Sequence, residues 1–228
     1  MTQTSLFGSE SPVIDDNFSG IERHTLNHGA WVDYCPGWLH GHQTLLEWLA
    51  ESSDWQRQRR RMYDSLVDVP RLVAKAPSDG PCGRIIREAS RKLSVRYQLP
   101  LTSVALAWYR DGADSVAMHG DKMGYGSTNT IIATVSTGEP RRFLMRTNDG
   151  TQSGAFQLGW GDLLVMGGTA QATWQHGVPK VAKSGPRISI IFRAHTAASP
   201  QGEAATKENR SVNGNRPRSG GSRRIGGS

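Results

Sequence analysis

Seven short segments rich in β-branched and apolar residues follow one another between residues 100 and 195, with glycine or proline between most of them. The segments are TSVALAWYR, IIATVS, RRFLMR, AFQL, DLLVM, ATWQH and RISIIF. Strands of this length and spacing are typical of an all-β sandwich or barrel, whereas a parallel α/β fold needs a helix after nearly every strand. Residues 131–135 and 188–192 are almost continuously apolar, which predicts strands covered on both faces. We therefore predict a mainly β (α+β) fold whose core is a double-sheet jelly roll.

Two segments before residue 100 have helical periodicity. In HGHQTLLEWLA, residues 40–50, three leucines fall on one stripe of a helix. In GRIIREASRKL, residues 83–93, Ile85, Ala89 and Leu93 are spaced by four, and the arginines fall on the opposite face. The pattern predicts N-terminal helices that come before the strands and support the jelly roll, with the basic face in solvent.

The composition of the chain changes after residue 195. Residues 196–228 contain only two large apolar side chains, Val212 and Ile225. They also hold six basic residues and two acidic ones, which is four of the chain's seven net positive charges. Such a segment cannot bury enough surface to offset the entropy of ordering it. We therefore predict one domain at residues 1–195 and a disordered basic tail at residues 196–228, either simply solvated or in contact with phosphates.

Cellular context is predicted from features that the sequence lacks. No run of 18 apolar residues occurs in the 228 residues, and the N-terminal MTQTSLFGSESPVIDD lacks the basic start and apolar centre of a secretory signal. The two cysteines, Cys35 and Cys82, are too few for a disulfide framework. We expect a cytoplasmic monomer with reduced thiols and no membrane contact.

Two histidines and one aspartate are candidate metal ligands. His119 and Asp121 are two residues apart, so on an extended backbone their side chains point to the same side. His176 follows the strand and turn signal GDLLVMGG and can arrive from another strand. Two imidazoles and one carboxylate can hold Fe(II) and leave three positions for a bidentate cosubstrate and dioxygen. Zinc uses the same residue types, although no HExxH helix is present, and a lone histidine near a strand end is more often structural.

The segment RISIIFR, residues 187–193, carries two candidate anion-binding residues. Arg187 and Arg193 are six apart, so they project to the same face of a strand as Ser189 and Ile191. Arginines on an otherwise apolar face need anionic partners. A dicarboxylate cosubstrate would suit the fork of Arg187, and Arg193 could support the carboxylate of the metal site. The alternative is two arginines of an edge strand that lie in water.

Five segments, taken in order, resemble the AlkB-like family of 2-oxoglutarate- and Fe(II)-dependent dioxygenases, most closely its members that act on alkylated nucleic acid. They are WYRDGADSVAMHGD, IIATVSTGEPRRFLMR, GDLLVMGG, TWQHGVP and RISIIFR. The resemblance covers about residues 60–194 and implies a double-stranded β-helix, which is a jelly roll. It implies iron ligation by His119, Asp121 and His176, with Arg193 as the second arginine of the catalytic set. It also implies that Arg187, Tyr109 and Ser189 bind 2-oxoglutarate.

The resemblance implies a reaction and a substrate. The reaction is oxidative dealkylation of N-alkylated bases in DNA or RNA, as in DNA repair, with Fe(II), 2-oxoglutarate and O2 and with release of succinate, CO2 and an aldehyde. Because the target base must be unstacked, we expect a single-stranded substrate. Residues 54–96 hold eleven basic residues and five acidic ones, which suits a phosphate backbone. On the substrate side we expect Tyr63, Arg71, Met123 and Tyr125.

Some positions depart from the family pattern. Ala107 and Ser189 stand where the family commonly has asparagines that bind the cosubstrate, so we expect weaker cosubstrate binding. Met123 stands where repair members commonly have an acidic residue near the damaged base, with Lys122 before it. Two alternatives therefore stay open. One is a 2-oxoglutarate oxygenase that acts on a protein or small molecule, and the other is a non-catalytic nucleic-acid-binding sandwich.

Overall fold

The structure, a computed structural model, describes residues 10–62, 65–120 and 130–194. Fourteen strands and three α-helices lie within these ranges. The strands are β1 Val13–Ile14, β2 Glu22–Thr25, β3 Ala30–Cys35, β4 Leu39–His40, β5 Gln56–Met62, β6 Ser65–Lys75, β7 Ser103–Tyr109, β8 Val116–His119, β9 Ile132–Gly138, β10 Arg141–Thr147, β11 Ser153–Leu158, β12 Leu163–Gly168, β13 Trp174–Val178 and β14 Arg187–Arg193. The helices are α1 His42–Ser52, α2 Gly80–Tyr97 and α3 Ala170–Thr173. All seven strands predicted between residues 100 and 195 are present.

Two antiparallel sheets make up the body of the fold. The large sheet has eight strands in the order β2-β3-β12-β9-β14-β7-β6-β5, and the small sheet has four in the order β11-β10-β13-β8. Residues from both sheets, including Leu164 and Met166 of the large one and Phe143 and Met145 of the small one, form a common apolar cluster. The sheets therefore pack face to face, and the predicted mainly β jelly roll is confirmed.

The opposite face of the large sheet is covered by helices. Leu45 and Leu49 of α1 and Leu93 of α2 pack in one buried cluster with Ile190 and Phe192 of β14. The central strands β9 and β14 are thus covered on both faces, which explains their nearly continuous apolar sequence. Helix α2 buries Ala89 and Leu93 of the predicted stripe, leaves Ile85 partly exposed, and exposes its arginines. Within the described residues, no helix has both the length and the apolarity to cross a membrane.

The prediction that the strands follow the helices is wrong for the N-terminal half. Strands β2 and β3 extend one side of the large sheet, and β5 and β6 extend the other side. Strand β5 has the sequence QRQRRRM, in which apolar and polar residues do not alternate. It forms the edge of the large sheet, where an apolar face is not required. Edge strands tolerate charge, and charge there also discourages pairing with other chains. The alternation of apolar and polar residues therefore cannot predict such a strand.

Both cysteines are buried, and neither forms a disulfide in the structure. Burial raises the pKa of the Cys35 thiol to about 11 and also raises that of Cys82. Both thiols therefore stay protonated at neutral pH and act as small apolar side chains.

A buried carboxylate joins the end of α2 to the large sheet. Asp33 of β3 is 3% exposed and accepts hydrogen bonds from Arg23 Nε at 2.7 Å and Arg23 Nη2 at 2.8 Å. The Tyr97 hydroxyl donates to the same carboxylate at 2.9 Å. The ring of Trp31 lies under the Arg23 guanidinium, 3.9 Å from its Cζ atom, and stacks on Tyr97. This contact fixes α2 against β3.

We expect Asp33→Asn to lower the free energy of unfolding by about 1–3 kcal/mol, because an amide cannot accept all three hydrogen bonds and leaves a donor unpaired. Urea unfolding would measure it. The control is Glu22→Gln on the neighbouring strand, where the side chain is exposed and the change should stay within about 0.5 kcal/mol. Equal effects for the two variants would show that the Asp33 contacts contribute little.

Candidate active site

The two predicted histidine ligands lie side by side on the small sheet. Strands β8 and β13 are antiparallel neighbours, and His119 is paired in register with His176. Their ring centroids are 4.5 Å apart. The His119 Nδ1 atom lies 2.8 Å from the Ala117 carbonyl oxygen, which can only accept, so Nδ1 donates and the neutral ring has its lone pair on Nε2. This is the arrangement in which an imidazole binds a metal through Nε2.

The ring of His176 is fixed by packing. It is buried and stacks on Phe143 of β10, with centroids 5.3 Å apart and an angle of 18° between the planes. Strand β10 pairs directly with β13, so the phenyl ring and the imidazole lie on neighbouring strands. The imidazole is therefore held in one orientation at the wall of the space between the sheets.

Several predicted site residues lie outside the described residues. These are Asp121, Met123, Tyr125 and Tyr63. The part of the chain that the structure describes holds no group of three His, Cys, Asp or Glu side chains able to bind a metal. The third ligand, Asp121, thus stays a prediction, and the geometry bears on the two histidines alone.

A cavity of about 750 Å³ lies between the two sheets. Its wall includes the other predicted site residues, namely His119, His176, Tyr109, Arg187, Ser189, Arg193 and Arg71. These residues come from β6, β7, β8, β13 and β14, so the fold brings together positions that are up to 122 residues apart in the chain, from Arg71 to Arg193. Their chemical roles remain predictions, but they share one cavity.

Arg187 is a buried cation with an unused donor. It is 1% exposed, and it donates from Nε to the Leu158 carbonyl at 2.9 Å and from Nη2 to the Ser136 hydroxyl at 2.7 Å. Its Nη1 atom has no hydrogen-bond partner among the described residues. Burial lowers the pKa of Arg187 to about 10, so the side chain is still charged at neutral pH. A buried charge with an unpaired N–H, in a residue at the wall of a cavity, fits a bound anion.

The alternative of two edge-strand arginines in water is wrong. Strand β14 lies in the middle of the large sheet, between β9 and β7. Arg187 is buried, and Arg193 at the other end of the strand is partly buried on the cavity wall. The alternative failed because the apolar run of β14 already required a central strand.

Three guanidinium groups surround the ring of Tyr109. The Cζ atoms of Arg187, Arg141 and Arg71 lie 5.3, 5.8 and 5.9 Å from its centroid. Arg71 Nη1 also donates to the Tyr109 hydroxyl at 3.0 Å. Arg71, predicted on the substrate side, therefore also positions a residue predicted to bind the cosubstrate.

The sequence analysis missed Arg141, a buried residue beside the ring of Tyr109. It is 2% exposed and donates to three backbone carbonyls, from Nη1 to Asp111 at 2.8 Å and from Nη2 to Asp114 at 2.9 Å and Pro179 at 2.7 Å. These bonds tie the β7–β8 turn and the loop after β13 to β10. The alternation of side chains along RRFLMR could have predicted that Arg141 is buried, because Arg141 shares a face of the strand with Phe143 and Met145.

Ala107 and Ser189 lie opposite each other in register on β7 and β14. Both are buried on the cavity wall, and Ser189 is two residues from Arg187. Cross-strand partners have Cβ atoms about 5 Å apart, so two small side chains make this part of the wall open. The two positions that depart from the family pattern, Ala107 and Ser189, are therefore neighbours in the same part of the wall, close to Arg187.

These side chains fit Fe(II) and a dicarboxylate. Paired imidazoles suit a divalent transition metal, and a carboxylate would satisfy the unpaired Nη1 donor of Arg187. The two histidines lie on the small sheet, and Arg187 lies on the large sheet.

A family model described as the 2OG-Fe(II) oxygenase superfamily matches residues 39–216. Among curated proteins, the chain is 38% identical over 186 residues to the alpha-ketoglutarate-dependent dioxygenase alkB homolog 3 of Bos taurus, which covers 71% of this chain and 65% of that protein. It is 36% identical over 101 residues to the Mus musculus homolog 3, covering 40% of this chain and 35% of that protein. It is 27% identical over 237 residues to the Arabidopsis thaliana protein named DNA oxidative demethylase ALKBH2, covering 85% of this chain and 75% of that protein. The match thus spans only about a third to three quarters of these relatives.

Two solved structures share the fold. "The structure of OsALKBH1" superposes with a TM-score of 0.52 at 17% identity, covering 76% of this chain and 100% of that one. A Trichoplax adhaerens prolyl hydroxylase superposes with a TM-score of 0.50 at 11% identity, covering 66% of this chain and 75% of that one. At these identities the likeness concerns the fold.

Proposed function

Because the chain belongs to the 2OG-Fe(II) oxygenase superfamily, as an AlkB-like member, we propose that it removes alkyl groups oxidatively from N-alkylated bases in nucleic acid. The observation that carries the proposal is the unpaired Nη1 donor of buried Arg187 in the same cavity as the His119–His176 pair. The cavity would thus offer a metal-binding face and an anion-binding group together. The name of the Arabidopsis thaliana relative, DNA oxidative demethylase, supports the choice of nucleic acid as substrate.

His119 and His176 would hold Fe(II), together with Asp121 as the predicted third ligand. When bound, Fe(II), 2-oxoglutarate and O2 supply the oxidation of an N-alkyl C–H bond, with succinate, CO2 and an aldehyde as the other products. Arg187 would pair with the far carboxylate of 2-oxoglutarate through Nη1, while Leu158 and Ser136 hold its other nitrogens. The Tyr109 hydroxyl, held by Arg71, can hydrogen-bond the same carboxylate. Buried Ile132, Phe143 and Met166 on the cavity wall limit the entry of water.

The substrate base would enter between β6 and the small sheet. Asp54, Gln56 and Lys75 line this part of the cavity and are exposed, whereas Arg187 is buried. A base must leave its stack to reach a metal between two sheets, and a single strand makes this step less costly. We therefore infer an alkylated single strand of DNA or RNA as the preferred substrate.

Two measurements on the full chain test the proposal. We expect an anaerobic titration of the Fe(II) protein with 2-oxoglutarate to give a weak visible charge-transfer band. We also expect succinate release in air to increase with methylated single-stranded DNA and not with the unmethylated strand. No band would favour a non-catalytic sandwich. A band without stimulation by methylated DNA or RNA would favour an oxygenase of a protein or small molecule.

A further inference from the structure

We propose that Arg141 is a positioning residue for the metal site, because it sets how strands β8 and β13 lie against each other and thereby how His119 meets His176. The inference rests on the proposed function, in which these two histidines hold the metal. Arg141 acts through the backbone, since its guanidinium donates to carbonyl groups of the loops next to the two strands.

The pairing of β8 with β13 is short and irregular. Strand β8 has four residues and pairs with β13 at the end of the small sheet. Among the described residues, His119 is in register with His176 and Val116 with Val178, and the register shifts between these two pairs. A bulge disrupts the ladder locally, so pairing alone fixes the alignment of these strands less firmly than a regular ladder does. The position of His119 relative to His176 therefore also depends on contacts outside the ladder.

One nitrogen of Arg141 joins the loops next to the two strands. Arg141 Nη2 donates to the Asp114 carbonyl at 2.9 Å and to the Pro179 carbonyl at 2.7 Å. Asp114 lies two residues before β8, and Pro179 directly follows β13. Nη1 donates to the Asp111 carbonyl, in the same turn as Asp114, at 2.8 Å. These bonds hold β8 and β13 together at the end of the ladder away from the two histidines.

The same two loops also touch directly. The Val181 N–H group donates to the Gly112 carbonyl at 2.9 Å. A Cβ atom at Gly112 would lie 2.4 Å from the Val181 carbonyl oxygen, so a larger residue would push the loops apart. The backbone of Gly112 is outside the left-handed region, so alanine there tests this close approach and not the backbone conformation.

Strand β10 connects the Arg141 contacts to the histidine pair. Arg141 is the first residue of β10 and is buried, and β10 pairs directly with β13. Two residues further along, Phe143 stacks on the His176 ring. A planar guanidinium that is bound through two nitrogens has a fixed direction. Strand β10 therefore holds His176 through Phe143 and the start of β8 through Arg141.

An anaerobic Co(II) titration of the full chain tests the proposal, with Co(II) as a coloured substitute for Fe(II). We expect Arg141→Lys to weaken Co(II) binding about tenfold, the lower end of the usual loss when a metal site loses its supporting contacts. Lysine keeps the charge, but it has one nitrogen in place of two and no planar fork. We also expect the visible bands of bound Co(II) to shift, since they report the arrangement of the ligands.

Gly112→Ala is a second variant that leaves the Arg141 side chain in place. We expect it to weaken Co(II) binding and shift the bands in the same direction, because it separates the same two loops. If Arg141→Lys does not fold, the Gly112 variant decides the question. Wild-type affinity and wild-type bands in the folded variants would overturn the proposal.

Two controls separate positioning from general stability. Asp33→Asn weakens the contact between α2 and β3, outside the described cavity wall. Arg142→Lys makes the same substitution on the outward face of β10. Both should bind Co(II) with the affinity and bands of the wild-type chain, and urea unfolding measures the stability that each variant loses. An equal loss of Co(II) affinity in Asp33→Asn and Arg141→Lys would assign the effect to stability and overturn the proposal.

Amide hydrogen exchange of the metal-free chain gives a readout that needs no metal. We expect Arg141→Lys and Gly112→Ala to speed exchange selectively in β8 and β13, and Asp33→Asn to leave these two strands unchanged. Unchanged exchange in β8 and β13, or the same increase throughout the fold, would overturn the proposal.

The outcomes also separate the inference from the proposed function. A wild-type chain that binds no Co(II) contradicts the proposed function, and hydrogen exchange then decides whether Arg141 aligns the two strands. Wild-type binding that is unchanged in the Arg141 and Gly112 variants overturns the inference and leaves the proposed function intact.

Discussion

Replacing His176 by alanine is expected to reduce 2-oxoglutarate turnover by on the order of a thousandfold, because one of the two paired imidazoles at the proposed iron is lost. His119→Ala should do the same, and so should Asp121→Ala if that residue is the third ligand. Succinate formation at saturating methylated DNA measures the loss. The anaerobic absorption titration shows whether Fe(II) and 2-oxoglutarate still bind.

His176 also packs on Phe143, so the alanine variant creates a space in the interior. Urea unfolding of each variant separates lost activity from lost folding. The matched control is His40→Ala, an exposed histidine on β4 that does not line the cavity, and it should keep full turnover. Full activity in a folded His176→Ala protein would contradict the assigned metal site.

Arg187→Lys is expected to raise the KM for 2-oxoglutarate by about a hundredfold, with a much smaller change in kcat at saturation. Lysine keeps the charge, but one ammonium cannot reproduce the donors to Leu158, Ser136 and the cosubstrate carboxylate. The loss of about two tenfold steps corresponds to about 2.7 kcal/mol, within the range for a buried, hydrogen-bonded charge that loses its geometry.

The control for this variant is Arg142→Lys, because Arg142 is exposed on the outward face of β10. Its KM for 2-oxoglutarate should not change. An unchanged KM in a folded Arg187→Lys protein would show that the buried guanidinium does not bind the cosubstrate. A loss of kcat alone would assign it to positioning.

The C-terminal half of the fold could be predicted because its strands are short and apolar and most of them are separated by glycine or proline. Strand β14 is the clearest case. Its apolar run predicted burial on both faces, and the arginines at its two ends predicted a bound anion. Strand β5 could not be predicted, because an edge strand needs no apolar face and its arginines mask the β pattern.

The candidate site was also predicted only in part. The pairing of His119 with His176 follows from two strand signals, but their register depends on tertiary structure, which local sequence does not carry. Arg141 was missed because its partners are backbone carbonyls from residues 111, 114 and 179, and carbonyl acceptors leave no mark in a sequence.

The histidine pair belongs to the small sheet, and Arg187 belongs to the large one. If His119 and His176 hold the metal and Arg187 binds the cosubstrate, residues of both sheets would contribute to binding 2-oxoglutarate. By mass action, a ligand that binds only the folded protein raises the free energy of unfolding in proportion to the logarithm of the ligand concentration, once that concentration is well above Kd. Under the proposed function, the lifetime of the folded protein inside a cell would then depend on the concentration of 2-oxoglutarate.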